Sequence, residues 1–250
     1  MLLQQITISI NKMCKRKPFI FKQFSVTDKN SAMKVGTDAV LLGSWVDINK
    51  RINIFDIGTG SGVIALMLAQ RSEAEITGID IHFASVEEAK INFAQSKWKS
   101  RLKVIHSSFQ EYAANCSESY DLIVSNPPFF TNSLRSPEEL KNISKHNDRL
   151  PYSDLISGII QLLTKTGKYC LIVPANDAPL LIELSNQNGL YCVRQLTVYP
   201  KQSKPASRKI IEFGTSKPET IIKEEVIIRN VDNSYTADYM KLTKDFYLNF

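Results

Sequence analysis

Short apolar runs alternate with stretches of helical periodicity between residues 51 and 187. The apolar runs contain many β-branched residues, which is typical of buried strands, and they lie at 52–56, 75–80, 102–105, 120–124 and 169–173. The intervening stretches predict helices at 62–71, 84–97, 152–163 and 175–186. This βαβ succession predicts a mostly parallel, doubly wound, Rossmann-like α/β sheet.

The pattern changes toward the C-terminal end. Residues 190–199 and 208–213 predict two strands, and the basic loop that joins them contains a proline and no helical pattern. Residues 220–228 predict one more strand, and a helix is predicted from Ala237. We therefore expect an antiparallel C-terminal hairpin at the edge of the sheet.

Positive charge is concentrated in two segments. The chain has 31 Lys and Arg against 25 Asp and Glu, a formal net charge of +6. Residues 1–34 contain one acid, Asp28, and seven basic residues, which are Lys12, Lys15, Arg16, Lys17, Lys22, Lys29 and Lys34. The second basic run contains Lys201, Lys204, Arg208 and Lys209. Either run alone could be a solvated surface, but the two together favour a polyanion partner, because phosphate contacts supply most nonspecific nucleic-acid affinity.

The length and the charge pattern together suggest how the chain is organised. We expect one domain over residues 1–250, with a basic N-terminal arm or short hairpin in 1–34 and a catalytic Rossmann-like core in 35–250. The longest apolar runs are too short to span a membrane, and the basic residues of the N-terminal segment follow its apolar part, the wrong order for a secretory signal. A cytoplasmic protein without membrane contact is expected.

The residues that most often bind metals are scattered. The cysteines have no C-x-x-C pair and no histidine at metal-ligand spacing; they are Cys14, Cys116, Cys170 and Cys192. The histidines are equally isolated, at His82, His106 and His146. We expect reduced thiols and no metal site.

A glycine-rich turn joins the first predicted strand to the first predicted helix. Asp56 ends the strand, and Gly58, Gly60 and Gly62 follow at every second position. Such glycines let a ligand approach the backbone and the helix N-terminus, whereas a plain tight turn needs only one. A dinucleotide fingerprint would place its third glycine where Val63 stands, which weakens an NAD interpretation. The D-x-G-x-G-x-G pattern instead resembles the first motif of S-adenosylmethionine methyltransferases.

The next two strand ends carry further candidate cofactor contacts. Asp80, followed by Ile81, ends the second strand, where a carboxylate can accept hydrogen bonds from both ribose hydroxyls or can cap the next helix. Many methyltransferases of this fold have an acid after the third strand for the adenine amino group, but this sequence has Ser107 and Ser108. A serine hydroxyl or the backbone around Ser108 and Phe109 could serve instead.

The fourth strand ends in Asn126-Pro127-Pro128-Phe129-Phe130, where two prolines cannot extend the strand. The segment resembles the N-P-P-[YFW] motif of class I methyltransferases that act on planar nitrogens: adenine N6, cytosine N4, guanine N2 and the glutamine amide. We expect the Asn126 side-chain oxygen and the Pro127 carbonyl to accept the two N–H bonds of the target. Pro128 would stiffen the backbone and Phe129 would stack on the flat group, while Phe130 could stack or pack.

Three more segments point to a single family. They are 33–45, 208–213 and 235–239. With the N-P-P-F motif and the loop after it, they resemble the bacterial tRNA1(Val) (adenine37-N6)-methyltransferases over residues 17–250. The resemblance implies a seven-stranded methyltransferase sheet, S-adenosylmethionine as the methyl donor and N6 of the adenine just 3′ of the anticodon of a valine tRNA as the acceptor. It also implies a tRNA partner, and we expect a monomer.

The resemblance assigns roles to residues. Lys34, Thr37 and Asp38 would line the entrance of the cofactor pocket, although Thr37 or Asp38 could instead cap the helix that follows. The catalytic residues would be Asn126, Pro127, Pro128 and Phe129. The cofactor contacts would be Lys34, Thr37, Asp38, Asp56, Gly58, Gly60, Gly62, Asp80, Ile81, Ser107, Ser108, Phe109 and Asn126. The RNA contacts would be Lys12, Lys15, Arg16, Lys17, Phe130, His146, Lys201, Lys204 and Arg208.

The identity of the methyl acceptor and of the group that takes the released proton stays open. An enzyme for adenine N6 or guanine N2 in ribosomal RNA has the same chemistry. Enzymes for protein glutamine or DNA adenine fit less well, because those usually carry an additional N-terminal or target-recognition region. A nonenzymatic RNA-binding protein that retains the cofactor fold is a further alternative. His146, Asp148 or solvent could take the released proton.

Overall fold

The computed structural model describes residues 17–31, 33–127 and 152–250. Within these ranges the strands are β1 Phe19–Ile20, β2 Ser25–Val26, β3 Asn53–Ile57, β4 Glu75–Asp80, β5 Leu102–His106, β6 Tyr120–Ser125, β7 Leu163–Pro174, β8 Tyr191–Lys201, β9 Arg208–Gly214 and β10 Ile222–Arg229. The helices are α1 Thr37–Trp45, α2 Val63–Arg71, α3 Phe83–Ala94, α4 Phe109–Asn115, α5 Tyr152–Leu162, α6 Ala178–Gln187 and α7 Ala237–Thr243, with a short 3₁₀ turn at Lys99–Arg101.

The main sheet has eight strands in the order β10-β8-β9-β7-β6-β3-β4-β5. Strand β9 runs antiparallel to both of its neighbours, β7 and β8, and every other neighbouring pair is parallel. The chain proceeds from β3 toward β5 on one side and from β6 toward β10 on the other. The sheet order therefore reverses between β3 and β6, and ligands of open α/β sheets bind outside the carboxyl ends of the strands at such a switch point.

The predicted α/β class, the mostly parallel sheet and the C-terminal hairpin are confirmed. Two details differ from the expectation. The sheet has eight strands rather than seven, and the outer strand of the hairpin is not the edge, because β10 pairs in parallel with β8 from Ile222↔Arg194 to Arg229↔Lys201. The strand predicted at 220–228 is β10, and its Val226 is buried against the core. Hydrophobic pattern predicts that a strand exists but not which neighbour it pairs with.

Each face of the sheet is covered by one hydrophobic cluster. One cluster includes α1, α2 and residues of the β1–β2 hairpin, with Leu66 and Met67 fully buried at its centre. The other lies under α4, α5 and α6 and contains Phe55 and Tyr120, whose rings stack 4.7 Å apart. Both faces are thus shielded from water, as a parallel sheet requires.

The β1–β2 hairpin packs on the body of the protein. Phe21, Phe24 and Val26 are buried in the core. The Lys22 backbone N–H donates to the carbonyl of Phe246, and its ammonium donates to the backbone oxygens of Lys244 and Phe250. Residues 17–31 are therefore held beside the C-terminal segment. Residues 1–16 lie outside the described ranges, and the division into an arm and a core within one domain stays a prediction.

A charged cluster fixes α1 to the C-terminal strands. Arg194 of β8 lies flat on the Trp45 ring, 3.7 Å from its centroid, and pairs with Glu212 of β9 at 3.1 Å. Arg194 also lies 3.6 Å from Glu224 of β10, and that carboxylate accepts a hydrogen bond from the Trp45 indole. Glu212 is buried, so its charge depends on Arg194 for compensation.

We predict that Arg194→Met lowers the free energy of unfolding by about 3 kcal/mol, because a buried pair that loses one partner leaves an uncompensated charge. The control is Glu224→Gln, which keeps an acceptor for Trp45 at a more exposed position and should cost below about 1 kcal/mol. Urea denaturation measures both. Similar losses in the two variants would show that the Arg194–Glu212 pair is not the stabilising contact.

Candidate functional site

The predicted site residues of four strands meet at the carboxyl edge of the sheet. The strand register pairs Ile57 of β3 with Ser125 of β6, so the glycine turn and Asn126 each begin at the next residue. Neighbouring strands are about 4.8 Å apart, which places the two features side by side at the switch point. On the other side of β3, Asp80 pairs with His106 of β5. The predicted residues thus lie together at one edge of the sheet, and their roles stay predictions.

All three glycines of the turn have left-handed backbones. Their φ angles are 70° at Gly58, 57° at Gly60 and 83° at Gly62. A Cβ at Gly62 would lie 2.4 Å from the Phe93 ring, so this glycine serves packing, whereas a Cβ at Gly58 would have no atom within 4 Å. Gly58 therefore borders open space at the end of β3, where a ligand can reach the backbone.

Asp80 holds the turn in place. Its Oδ2 accepts a hydrogen bond from the Gly60 backbone N–H at 2.9 Å, and its Oδ1 accepts one from the His82 N–H at 2.8 Å. The helix-cap alternative for Asp80 is not observed, because α3 begins after His82, which has no side-chain cap bond. Each carboxylate oxygen has a further lone pair, so the predicted ribose contact remains compatible with these bonds.

Asp56 is a fully buried carboxylate beneath the turn. Thr59 donates a hydrogen bond to its Oδ2 at 2.7 Å, and its Oδ1 accepts no hydrogen bond of normal geometry among the described residues. Burial raises the pKa of Asp56 to about 7, against the lowering effects of Thr59 and of the Ala65 backbone N–H, and the nearby Asp80 charge raises it slightly further. The group is therefore poised to change protonation near neutral pH.

Two side chains of α3 hold residues 27–31 beside the turn. Glu88 is buried and accepts hydrogen bonds from the backbone N–H groups of Asn30 and Ser31, both at 2.7 Å. Asn92 is one helical turn further on and bonds both backbone groups of Thr27 and the Ser61 carbonyl. Sequence inspection missed these residues, because a polar pair at i and i+4 normally indicates an exposed helix face.

Lys34 has a structural role at this point. Its ammonium donates to the backbone carbonyls of Asp28, Lys29 and Ser31 at 2.6, 2.9 and 3.0 Å. All three of its N–H donors are thus engaged by the loop that borders the glycine turn. Lys34 shapes the wall of the site through that loop, and a direct cofactor contact stays a prediction.

The residues after β4 and β5 form a second border. Ile81 and Phe83 are exposed, and the Phe83 ring meets the His106 ring edge-on at 5.6 Å. Ser108 caps α4, since its hydroxyl accepts from the Glu111 N–H and donates to the Glu111 carboxylate.

The side chains around Ser108 that were expected to contact the adenine are therefore partly engaged in hydrogen bonds and packing within the protein. The Ser107 hydroxyl donates to the Ser108 carbonyl, and the Phe109 side chain is buried in the core. What remains for the adenine of a cofactor is the backbone at these positions and the exposed side chains of Ile81 and Phe83.

Asn126 presents an acceptor without a partner. Its Oδ1 is buried and accepts no hydrogen bond from any described residue. Ser125, by contrast, is satisfied by donating to the Ile57 carbonyl at 3.1 Å. Buried amide oxygens are usually hydrogen-bonded, so an orphan at the switch point indicates a place for a donor from a ligand. Pro127 is also described, whereas the predicted contacts Pro128, Phe129, Phe130 and His146 lie outside the described residues.

Helix α1 begins at Thr37 with Gly36 as its N-cap, and no side chain caps it. The alternative that Thr37 or Asp38 caps this helix is therefore not observed. Asp38 instead pairs with Arg208, the first residue of β9, at 2.9 Å. These two residues were predicted to contact different ligands, but the structure uses them to join α1 to the hairpin.

The basic loop between β8 and β9 stands at the same edge as Asn126. Lys201 donates to the Asn233 side chain, and Lys204 is exposed in the turn that follows. Lys17 is exposed beside β1, and Lys12, Lys15 and Arg16 lie outside the described residues. The charge of Arg208 is compensated by Asp38, so its RNA contact, like those of the lysines, stays a prediction.

Cys116, Cys170 and Cys192 are free thiols, as expected. Across the described ranges, no three His, Cys, Asp or Glu side chains are grouped so that they could hold a metal ion. None of the helices in those ranges has the length and apolar content that a membrane crossing requires.

Residues 29–150 match the family model of the methyltransferase small domain. A tRNA1(Val) (adenine(37)-N6)-methyltransferase of Bacteroides fragilis is 41% identical over 232 residues, which cover 92% of this chain and 97% of that protein. One from Trichodesmium erythraeum is 40% identical over 235 residues, 93% of this chain and 98% of that protein. The chain belongs to this methyltransferase family.

Solved structures agree with the architecture. A predicted O-methyltransferase of Agrobacterium tumefaciens superimposes with a TM-score of 0.66 at 17% identity, covering 84% of this chain and 96% of the other. At that identity the comparison shows the shared fold. The methyl donor of this class of enzymes is S-adenosylmethionine, in agreement with the expectation from the glycine motif.

The residues present fit this cofactor. The open, left-handed backbone at Gly58 leaves room for close approach, the Asp80 carboxylate lies one strand away, and the exposed Ile81 follows it. An amino-acid and nucleoside ligand needs these features: accessible backbone groups, a hydroxyl acceptor and an apolar surface for its base. Gly58, Gly60, Asp80 and Ile81 are the described residues that would hold it.

We predict that Gly58→Ala weakens S-adenosylmethionine binding at least about ten-fold, because the added methyl enters the open space beside the turn. Gly189→Ala is the matched control: Gly189 has φ 85° and equally open surroundings, but it lies outside the site. Both changes should cost about 1–2 kcal/mol of stability through left-handed strain. Calorimetric titration gives the affinity and thermal unfolding the stability; equal affinity in the two variants would contradict the assignment.

We predict a pH-dependent stability from Asp56. A carboxyl group whose folded pKa of about 7 exceeds the ordinary 3.8 binds more protons in the native state, so stability falls as pH rises between these values. Between pH 5 and pH 8 the free energy of unfolding of the ligand-free protein should fall by roughly 2–3 kcal/mol more than that of Asp56→Asn, because the Asn side chain cannot titrate. Urea denaturation at both pH values measures the difference. Parallel curves for the two proteins would show that Asp56 is ionised throughout.

Proposed function

We propose that the protein transfers a methyl group from S-adenosylmethionine to N6 of an adenine in tRNA, at position 37 beside the anticodon of tRNA1(Val). The observation that carries this proposal is the buried Oδ1 of Asn126 next to the glycine turn, which accepts no hydrogen bond from the described residues. The family relatives bear the name of this reaction and cover nearly the whole chain.

The chemical difficulty of the reaction lies in the acceptor. The lone pair of an adenine amino group is delocalised into the ring, which makes the nitrogen a weak nucleophile. The cofactor supplies a methyl group on a positively charged sulfur, so the protein has to place the nitrogen in line with that methyl. Positioning can contribute most of the rate enhancement in such a case.

Asn126 supplies the positioning. Its Oδ1 accepts one N–H of the target amine, and the Pro127 carbonyl, which follows directly in the chain, accepts the other. Both acceptors lie on the end of a buried strand whose register with β3 is fixed, so they are held still relative to the glycine turn. The partial positive charge that develops on the nitrogen is stabilised by the same two oxygens.

The acidic groups of the site shape and contact the cofactor pocket. Asp80 keeps the glycine turn closed through Gly60 and offers its free lone pairs to the ribose. The open backbone at Gly58 and the N-terminus of α2 face the amino-acid part of the cofactor. The buried Asp56 stiffens the turn through Thr59.

The nucleic-acid substrate is supported by charge and by family membership. The basic loop 201–209 stands at the same edge as Asn126, and phosphate contacts there would bind RNA without reading its sequence. The anticodon loop is single-stranded, so its adenine can be turned out toward the site without opening a duplex. We propose further that the enzyme acts as a cytoplasmic monomer.

The test offers unmodified total tRNA, ribosomal RNA and total protein as parallel substrates, followed by nucleoside analysis of the RNAs and amino-acid analysis of the protein. The expected product is N6-methyladenosine at the position next to the anticodon of tRNA1(Val), and methylation confined to ribosomal RNA or protein would overturn the proposal.

We predict that Asn126→Ala lowers kcat by roughly 10²–10³-fold, as loss of one positioned hydrogen-bonding group does elsewhere. Cofactor affinity should fall little. The control Asn115→Ala alters an exposed asparagine of α4 and should leave both unchanged.

A further inference from the structure

A groove with aromatic walls lies between the N-terminal hairpin and the C-terminal segment. It has a volume of about 710 Å³, and its lining includes Phe19, Ile20, Thr37, Arg229, Tyr235 and Leu248. We call it the aromatic groove. Its apolar rim is open to solvent, since Ile20 is 59% and Leu248 56% exposed. A soluble protein rarely leaves such a patch without a use.

The floor of the aromatic groove is a stacked set of rings. Tyr235 stacks on Tyr239 at 5.2 Å and meets Phe250 edge-on at 5.0 Å. The Arg229 guanidinium lies 4.1 Å above the Tyr235 ring and donates to its hydroxyl at 2.9 Å. The guanidinium also donates to the Asn233 carbonyl. This gives a fixed cluster of rings with a guanidinium placed over Tyr235.

The aromatic groove continues the carboxyl edge where Asn126 lies. Strands β6, β7, β8 and β10 are parallel to one another, so Asn126, Lys201 and Arg229 follow or end strands at one edge. Four inter-strand steps from β6 to β10 span roughly 19 Å. Thr37 lines the groove, and its neighbour Asp38 is tied to Arg208 of the intervening strand. The distance fits a nucleotide a few positions away in the same loop rather than the target itself.

We propose that the aromatic groove binds an unpaired nucleobase of the substrate RNA that lies close to the target adenine in the same loop. The inference rests on the proposed function for the identity of the RNA. Stacked rings with a guanidinium suit a base, because every base has a π-face that stacks on aromatic side chains and Arg. Lys201, which follows the lining residue Pro200 and pairs in register with Arg229, favours the attached phosphates.

The charge of the rim also decides against an apolar partner. A hydrophobic peptide would gain nothing from Arg229 and Lys201, and burying those cations against it would cost free energy. The alternative occupant from this chain is the segment 1–16, which contains an apolar stretch. A test that changes the sign of the charge in the groove separates the RNA from an apolar peptide or segment 1–16, because among these only the RNA carries phosphates.

The experiment compares Ile20→Asp with Ile20→Lys in the full chain, using an unmodified anticodon stem–loop of tRNA1(Val) as the probe. Ile20→Asp should weaken binding about ten-fold through repulsion of the phosphates and loss of the apolar rim. Ile20→Lys should bind as well as or better than the parent. Fluorescence anisotropy gives the Kd, and thermal unfolding checks that both variants fold. Equal weakening by Asp and Lys, or no change in either, would overturn the proposal.

Ile91→Asp is the matched control. Ile91 is 51% exposed, close to the value for Ile20, and it lies near the end of α3, away from the carboxyl edge. Its RNA affinity should equal that of the parent. Because binding is measured apart from turnover, the inference is tested even where methylation fails, and loss of methylation by the parent would count against the proposed function alone.

A series of stem–loops with single abasic sites identifies the bound base. If a base occupies the groove, its removal weakens binding by the parent but adds little to the defect of Ile20→Asp, since both changes remove the same contact. One position near the target adenine should show this coupling. Additive losses at every position would mean that no base lies in the groove.

Discussion

The Asp80 carboxylate is the contact on which the site depends. It bonds the Gly60 N–H with one oxygen and the His82 N–H with the other, and so joins the turn after β3 to the segment after β4. The turn can adopt three left-handed residues only because they are glycines, and Gly62 also admits the Phe93 ring. The open backbone at Gly58 is a consequence of this arrangement. A ligand that touches the turn therefore meets a surface that is already fixed.

Buried polar groups hold much of the rest of the site in place, although their burial costs desolvation free energy. Glu88 and Asn92 spend their hydrogen bonds on the backbone of residues 27–31 and on Ser61, and Asp56 stays buried with a pKa near neutrality. Such groups are rarely retained for stability alone, because apolar residues of similar size would pack at lower cost. Their position around the glycine turn ties them to the cofactor side of the proposed reaction.

Asn126 represents the opposite case, a buried acceptor that the described protein leaves unsatisfied. The glycine turn is held by hydrogen bonds within the protein, whereas the side-chain oxygen of Asn126, at the end of β6, accepts none from the described residues. This asymmetry fits a site in which the cofactor pocket is preformed and the substrate amine completes the hydrogen bonding. The aromatic groove extends the same edge, so the proposed RNA contacts form one continuous surface.

The sequence by itself determined the βαβ order, the glycine turn, the strand-end position of Asp80 and Asn126, and the family. These features are local, since hydrophobic period, glycine spacing and short motifs act over a few residues. Only the tertiary structure decided that β10 covers β8, that Lys34 holds a loop, that Asp38 pairs with Arg208, and that Glu88 and Asn92 face inward. Each of these joins residues far apart in the chain, and pairing across such distances is set by packing and charge compensation, which local patterns do not encode.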